Sequence, residues 1–149
     1  MNELYKSLSP AVRDDLSRLE KRAIVPAGTK LISEAVAPER VIVIERGSVE
    51  ISVPAGERAM SLNVAGEGKV LGLRSIIAGA VPEIEATTLE ECAISFISRQ
   101  DFLKVLEQNP EMYFAIAKVL SADLNTAERF LREAPRIANK PRASNGLSC

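Results

Sequence analysis

The chain has no histidine among its 149 residues, and that absence excludes more than any other feature of its composition. Ser-His-Asp and Cys-His nucleophile systems need an imidazole that changes protonation near neutral pH. Zinc and non-haem iron centres built on histidine lose their ligands too. Cysteine is scarce. Cys92 and Cys149 cannot make a disulfide framework or a cysteine-based zinc site. No enzymatic activity, resident cofactor or metal is therefore expected. An excess of one charge is also missing: 19 Lys+Arg face 20 Asp+Glu, so nothing draws the whole chain toward nucleic acid or acidic membranes. The longest apolar run, residues 76–82, is far short of the roughly 20 residues of a membrane helix. The first seven residues lack the basic and apolar regions of a signal peptide. A cytoplasmic protein without a membrane partner is expected.

What is present fits one domain, residues 1–134, large enough to bury a core. Ser9-Pro10 offers a side-chain cap followed by proline at the first helical position, and predicts a helix over 10–21. Asp14 and Asp15 near its start, and Lys21 and Arg22 at its end, suit the helix dipole. Val12, Leu16 and Leu19 give it one docking face.

Residues 23–97 read differently. Short Val/Ile/Leu runs are broken by Pro26, Gly28, Pro38, Gly47, Pro54, Gly56, Gly66, Gly68, Gly72, Gly79 and Pro82, the rhythm of a β-sandwich or barrel. Val49, Ile51 and Val53 alternate with polar residues and are expected on one face. Val41-Ile42-Val43-Ile44 lacks alternation, so it should be covered on both faces. Residues 54–57 read as a hairpin tip leading to Met60, Leu62 and Val64, and 84–88 and 92–97 complete the β region. Gly66-Glu-Gly68-Lys-Val-Leu-Gly72 only approximates a dinucleotide-binding glycine motif and is read as turn glycines. Cys92, among apolar neighbours, is expected as a buried hydrophobe.

Two helices should follow over 98–133. Ser98 with Asp101 starts a short one, and Asn109-Pro110-Glu111 restarts a long one by the same cap-plus-proline logic. Tyr113, Ala117, Leu120, Leu124, Ala127 and Leu131 are spaced alternately by four and three, a heptad seam. Met112, Ile116, Val119 and Phe130 add apolar surface beside it. One stripe is expected on the chain's own β-domain and the other on a second subunit, giving a homodimer; the alternative is a single wide stripe buried in a monomer. Residues 135–149, with two prolines and only basic charges, read as a disordered tail, a solvated end before a nucleic-acid arm.

The order of these pieces resembles the cyclic-nucleotide-binding domain of catabolite-activator-like regulators. The residues that carry the likeness are 26–31, 41–51, 66–72 and 92–97, followed by Asp101-Phe102-Leu103 and Asn109-Pro110-Glu111. The likeness spans roughly residues 10–133. It implies a mainly β fold with flanking helices: a double-stranded β-helix (a jelly-roll-like β-roll), an N-terminal helix and a long C-terminal dimerisation helix. It also implies a small-molecule effector in the roll, held by a phosphate-binding cassette whose family positions fall at Gly72, Leu73, Arg74, Ser75, Pro82 and Glu83. In the family a Gly-Glu pair grips the ribose and an arginine meets the cyclic phosphate. Here Leu73 takes the carboxylate's place and Pro82 or Glu83 the arginine's, and no Lys or Arg occurs between Arg74 and Arg99. An anion taken out of water must meet a cation or oriented N–H groups, so ordinary cyclic AMP binding is not expected. Arg74 could substitute; pairing with Glu50 or Glu67 is its plainer role. The family's winged helix-turn-helix has no counterpart in the fifteen or so residues after the long helix, so direct sequence-specific DNA binding is not expected. The alternatives to a sensor domain are a ligand-free dimeric scaffold and, more distantly, a cupin-like β-barrel enzyme or sugar binder.

Overall fold

The computed structural model describes residues 1–133, with side chains through residue 125; the expected tail lies outside the described residues. Helix α1 (Pro10–Leu19) starts where the sequence places it, with the Ser9 hydroxyl accepting from the Val12 N–H at 3.4 Å. It ends two residues early. Lys21 and Arg22 open strand β1 (Lys21–Val25) instead of closing the helix, which leaves Arg18 as the cation of its last turn. The strand's pairing with β8 overrides the dipole preference.

Strands β2 (Lys30–Ile32), β3 (Arg40–Arg46), β4 (Val49–Ala55), β5 (Arg58–Ala65) and β6 (Val70–Leu71) lead to a short helix, α2 (Leu73–Ala78). Strands β7 (Glu85–Thr88) and β8 (Cys92–Ser98) follow, then α3 (Arg99–Gln108) and α4 (Met112–Glu133). The strands form two antiparallel four-stranded sheets, ordered β1-β8-β3-β6 and β2-β7-β4-β5. Helix α2 was not legible as a helix; a six-residue apolar segment between Gly72 and Gly79 reads equally well as strand.

The first sheet has a core on each face, and β3 shows why its sequence lacks alternation. Val41 and Val43 point to the helices and share one core with Leu4, Leu16, Phe102, Met112 and Ile116. Ile42 and Ile44 point between the sheets and join Leu31, Val49, Ala86, Cys92 and Ile94. Successive side chains of a strand alternate in direction, so a strand with two dry faces must be apolar throughout.

In β4 the expected alternation holds only in part. Val49 is buried and Ile51 packs on the inter-sheet core, but Ser52 is buried while Val53 is half-exposed. Leu62 is an extra residue in β5, between the pairs Ile51–Asn63 and Ser52–Ser61. Such a bulge twists the ribbon and re-aims side chains. Met60 and Val64, on this edge strand, lie exposed.

The hairpin closes as expected around Gly56 and Glu57. Gly47 turns β3 into β4 at φ +106°, and a Cβ there would lie 2.5 Å from the Cys92 Sγ. Only glycine fits a positive φ at that distance. Cys92 is fully buried, as expected, and burial pushes its thiol pKa up.

Ser98 caps α3, its hydroxyl accepting from the Asp101 N–H at 3.1 Å. Asn109 does not cap α4. Its side-chain amide reaches back to the Val105 carbonyl at 2.9 Å, while backbone bonds from Met112 to Asn109 and from Tyr113 to Pro110 start the new helix. Residues 1–9 carry structure that no sequence signal announced. The Asn2 side chain accepts from the N–H groups of Leu4 and Tyr5 at 2.9 and 2.8 Å, and this turn sends Leu4 into the helix-side core.

Candidate functional site

The cassette positions lie on α2 and the loop after it. Gly72 precedes the helix at φ +90°, where a Cβ would meet the Arg40 carbonyl at 3.2 Å. Gly79 ends it, donating its N–H to the Ser75 carbonyl at 2.8 Å. Leu73 is only 2% exposed and belongs to the helix-side core. It roots α2 beneath the other helices and offers nothing to a polar ligand. Ser75 is buried beside it, and Arg74 points out to solvent. Among the described residues Arg74 makes no ion pair, so neither Glu50 nor Glu67 holds it.

Pro82 is buried and its carbonyl accepts from the Ala35 N–H at 3.0 Å, docking the loop after α2 on the β2–β3 loop. Ala35 sits at φ +64°, a conformation that favours glycine. Glu83 is exposed. The six positions thus do not converge: Leu73 and Ser75 turn inward, and Arg74 and Glu83 face water.

Between the sheets the walls near α2 are apolar. Ile32 is the side chain nearest Gly72 after the Arg40 backbone, and Ile51 and Ile84 pack on the same core. The neighbouring cations have other partners. Lys30 pairs with Glu85 at 3.3 Å. Arg40, which sequence reasoning passed over, lies 4.5 Å from the Phe96 ring centroid. Because β8 and β6 flank β3 on opposite sides, this stacking carries the guanidinium toward β8 and away from α2. Cation–π distances under about 6 Å are attractive, and only tertiary pairing could have disclosed this one. Among the described residues one cleft of 370 Å³ opens beside Glu3, Lys6 and residues 63–69, and another of 480 Å³ beside residues 37–39 and 98–100. Neither is lined by α2.

The second candidate surface is α4. Met112, Ala115, Ile116 and Val119 are buried against the domain. The seam residues stand beside them on the outer side: Tyr113, Ala117 and Leu124 are exposed, Leu124 at 59%, and Leu120 is half-buried against the core. The side chains of Ala127, Leu131 and Phe130 lie outside those described. Exposed Phe114 flanks the seam with the Lys118 ammonium 4.9 Å from its ring centroid.

Two antiparallel sheets, with a short helix between β6 and β7 and a long helix sharing the core on one face of the first sheet, define a β-roll fold. The chain belongs to the cyclic nucleotide-binding domain family, whose model matches residues 23–109. A cyclic nucleotide-binding domain from Methylobacillus flagellatus is similar at 16% identity and TM-score 0.77, over 89% of this chain and 81% of that one. The Thermus thermophilus catabolite activator protein is similar at 20% identity and TM-score 0.75, over 88% of this chain and 62% of its own. The regulatory subunit of a cAMP-independent protein kinase A from Trypanosoma brucei is similar at 14% identity and TM-score 0.70, over 87% and 46% respectively. The chain therefore spans about three-fifths of the activator and under half of the kinase subunit. At these identities the likeness shows the fold. No curated protein matches the sequence. Among the described residues no helix is long and apolar enough to cross a membrane.

Proposed function

We propose that the chain is a non-enzymatic regulatory domain that dimerises through α4 and signals by a change in how that helix sits on the roll. The observation that carries this reading is the division of α4 into two apolar stripes, one buried and one outward. Met112, Ile116 and Val119 fix the helix to its own domain, and Tyr113, Ala117, Leu120 and Leu124 are left for a second copy. A heptad seam exposed to water gains most by meeting its like. Sedimentation of the wild type should report a dimer. Leu124→Glu, which alters no buried contact, should shift the mass toward monomer, and an unchanged mass would remove the seam. Leu120→Glu is the harsher variant because Leu120 also packs on the core.

The effector site proposed at Gly72, Leu73, Arg74, Ser75, Pro82 and Glu83 is not built for ordinary cyclic AMP. Leu73 cannot hold a ribose hydroxyl, and Glu83 places a carboxylate where the phosphate would need a cation. Such a reversal costs a few kcal/mol, or several hundred-fold in affinity. The T. brucei kinase subunit, named as cAMP-independent, is one bearer of this fold that points the same way. A thermal-shift series with cyclic AMP, cyclic GMP and cyclic dinucleotides tests the reading. A ligand at 100 times its dissociation constant adds about 2.7 kcal/mol to stability, so cyclic AMP at millimolar concentration should leave the melting temperature unmoved. A clear rise would overturn it.

A further inference from the structure

Lys69 joins three parts of the chain that are distant in sequence. Its backbone is fixed to the roll, its carbonyl accepting from the Ile44 N–H at 3.0 Å and its N–H donating to the Gly66 carbonyl at 3.2 Å. Its ammonium lies 3.5 Å from the Glu3 Oε2 and also contacts the Asp123 Oδ1 on α4. Glu3 is fixed as well. Its Oε2 accepts from the Val70 N–H at 2.7 Å, and its own N–H donates to the Gly68 carbonyl at 2.9 Å.

Two members of this cluster are therefore held by backbone, and the third rides on a helix. Among the described side chains, apolar packing holds α4 to the body as far as Val119 and, in part, Leu120. Asp123 is the outermost tie that the described side chains show, and its neighbour Leu124 is exposed. One ammonium serves two carboxylates here. Without it they would repel, so its loss turns an attraction into a repulsion.

We infer that Lys69 is a positioning residue, an electrostatic latch that sets the angle of the outer half of α4 against the roll. Its consequence for dimerisation rests on the seam proposed above; the latch itself does not. Hydrogen exchange of the full chain, read at the backbone amides of residues 119–125, tests it in Lys69→Met, Asp123→Asn and the double variant. Each single change should speed exchange there about three- to fivefold, the range a half-exposed pair supports, while the amides of residues 41–44 keep their protection. The double variant should exchange no faster than Lys69→Met, because removing the Asp123 charge also removes the repulsion. Unchanged exchange in either single variant, or effects that multiply in the double, would overturn the latch. Sedimentation is read separately: a monomeric wild type defeats the seam and leaves the exchange result standing, and the converse holds equally.

Discussion

The inter-sheet core and the helix-side core share the first sheet as a common wall, yet they are closed by different means. Between the sheets these buried contributors all come from strands: Leu31, Ile42, Ile44, Val49, Ala65, Leu71, Ala86, Cys92 and Ile94. On the other face Leu4, Leu16, Val41, Ile76, Phe102 and Ile116 come from the N-terminal segment, α1, β3, α2, α3 and α4. One core is a continuous β-structure locked by hydrogen-bond ladders. The other is assembled from helices, the N-terminal segment and strands that no single hydrogen-bond ladder joins. The regulatory role proposed above would use that asymmetry, with the roll on one face and the helices on the other.

Equal deletions on the two sides should break or sharpen this contrast. Ile94→Ala and Ile116→Ala each remove a nearly fully buried side chain and should each cost about 2–5 kcal/mol in denaturant unfolding. Hydrogen exchange should separate them. Ile116→Ala should release α4 amides before those of the strands, whereas Ile94→Ala should lower protection throughout. A uniform response to both would mean that the two cores open as one unit.

A smaller effect is expected at the β3–β4 turn. Gly47→Ala meets both a positive φ and the Cys92 sulfur, and should cost about 1–3 kcal/mol. Adding Cys92→Ala should recover part of that loss but not all, since the Cys92 Cα and the Glu91 carbonyl remain 3.1 Å from the new methyl. Full recovery would show that backbone strain contributes nothing there.

The smallest effects concern alkaline pH, with one group in each core. Burial raises the Cys92 thiol above its ordinary value of 9.0, and burial together with the Glu20 carboxylate raises the Tyr5 phenol above 10.0. In both cases the folded state keeps a proton that the unfolded chain releases. Stability is therefore retained below the ordinary value and falls as pH climbs toward the raised one. Cys92→Ala should flatten the decline that begins near pH 9, and Tyr5→Phe the part that begins near pH 10, both measured by urea midpoints. Parallel curves for wild type and variants would show that neither group is linked to folding.

Much of this fold was legible because its signals are local. Ser9-Pro10, Ser98 and the unalternating run Val41 to Ile44 each state their own environment. What escaped reading depends on partners far along the chain. The bulge at Leu62 is set by pairing with β4, and the docking of Leu4 needs the Asn2 turn and a core drawn from helices and strands far along the chain. The candidate site was legible in one sense only. The sequence showed which residue types fill the cassette positions, but not that Leu73 turns away from the roll or that Arg40 stacks on Phe96.

The double-sided apolarity of β3 leaves a question of alignment that greasiness cannot answer. Moving the strand by one residue would exchange Val41 and Val43 for Ile42 and Ile44 between the compartments, swapping one aliphatic set for another with little change in buried area. What pins the alignment is therefore punctuation: the turn at Gly47, and the unpaired Glu45 between the partners Ile44–Ile94 and Arg46–Ala93. Damage at Gly47 would then do more than strain a loop. It would weaken one of the marks that keep the shared wall in step with β8 and β6.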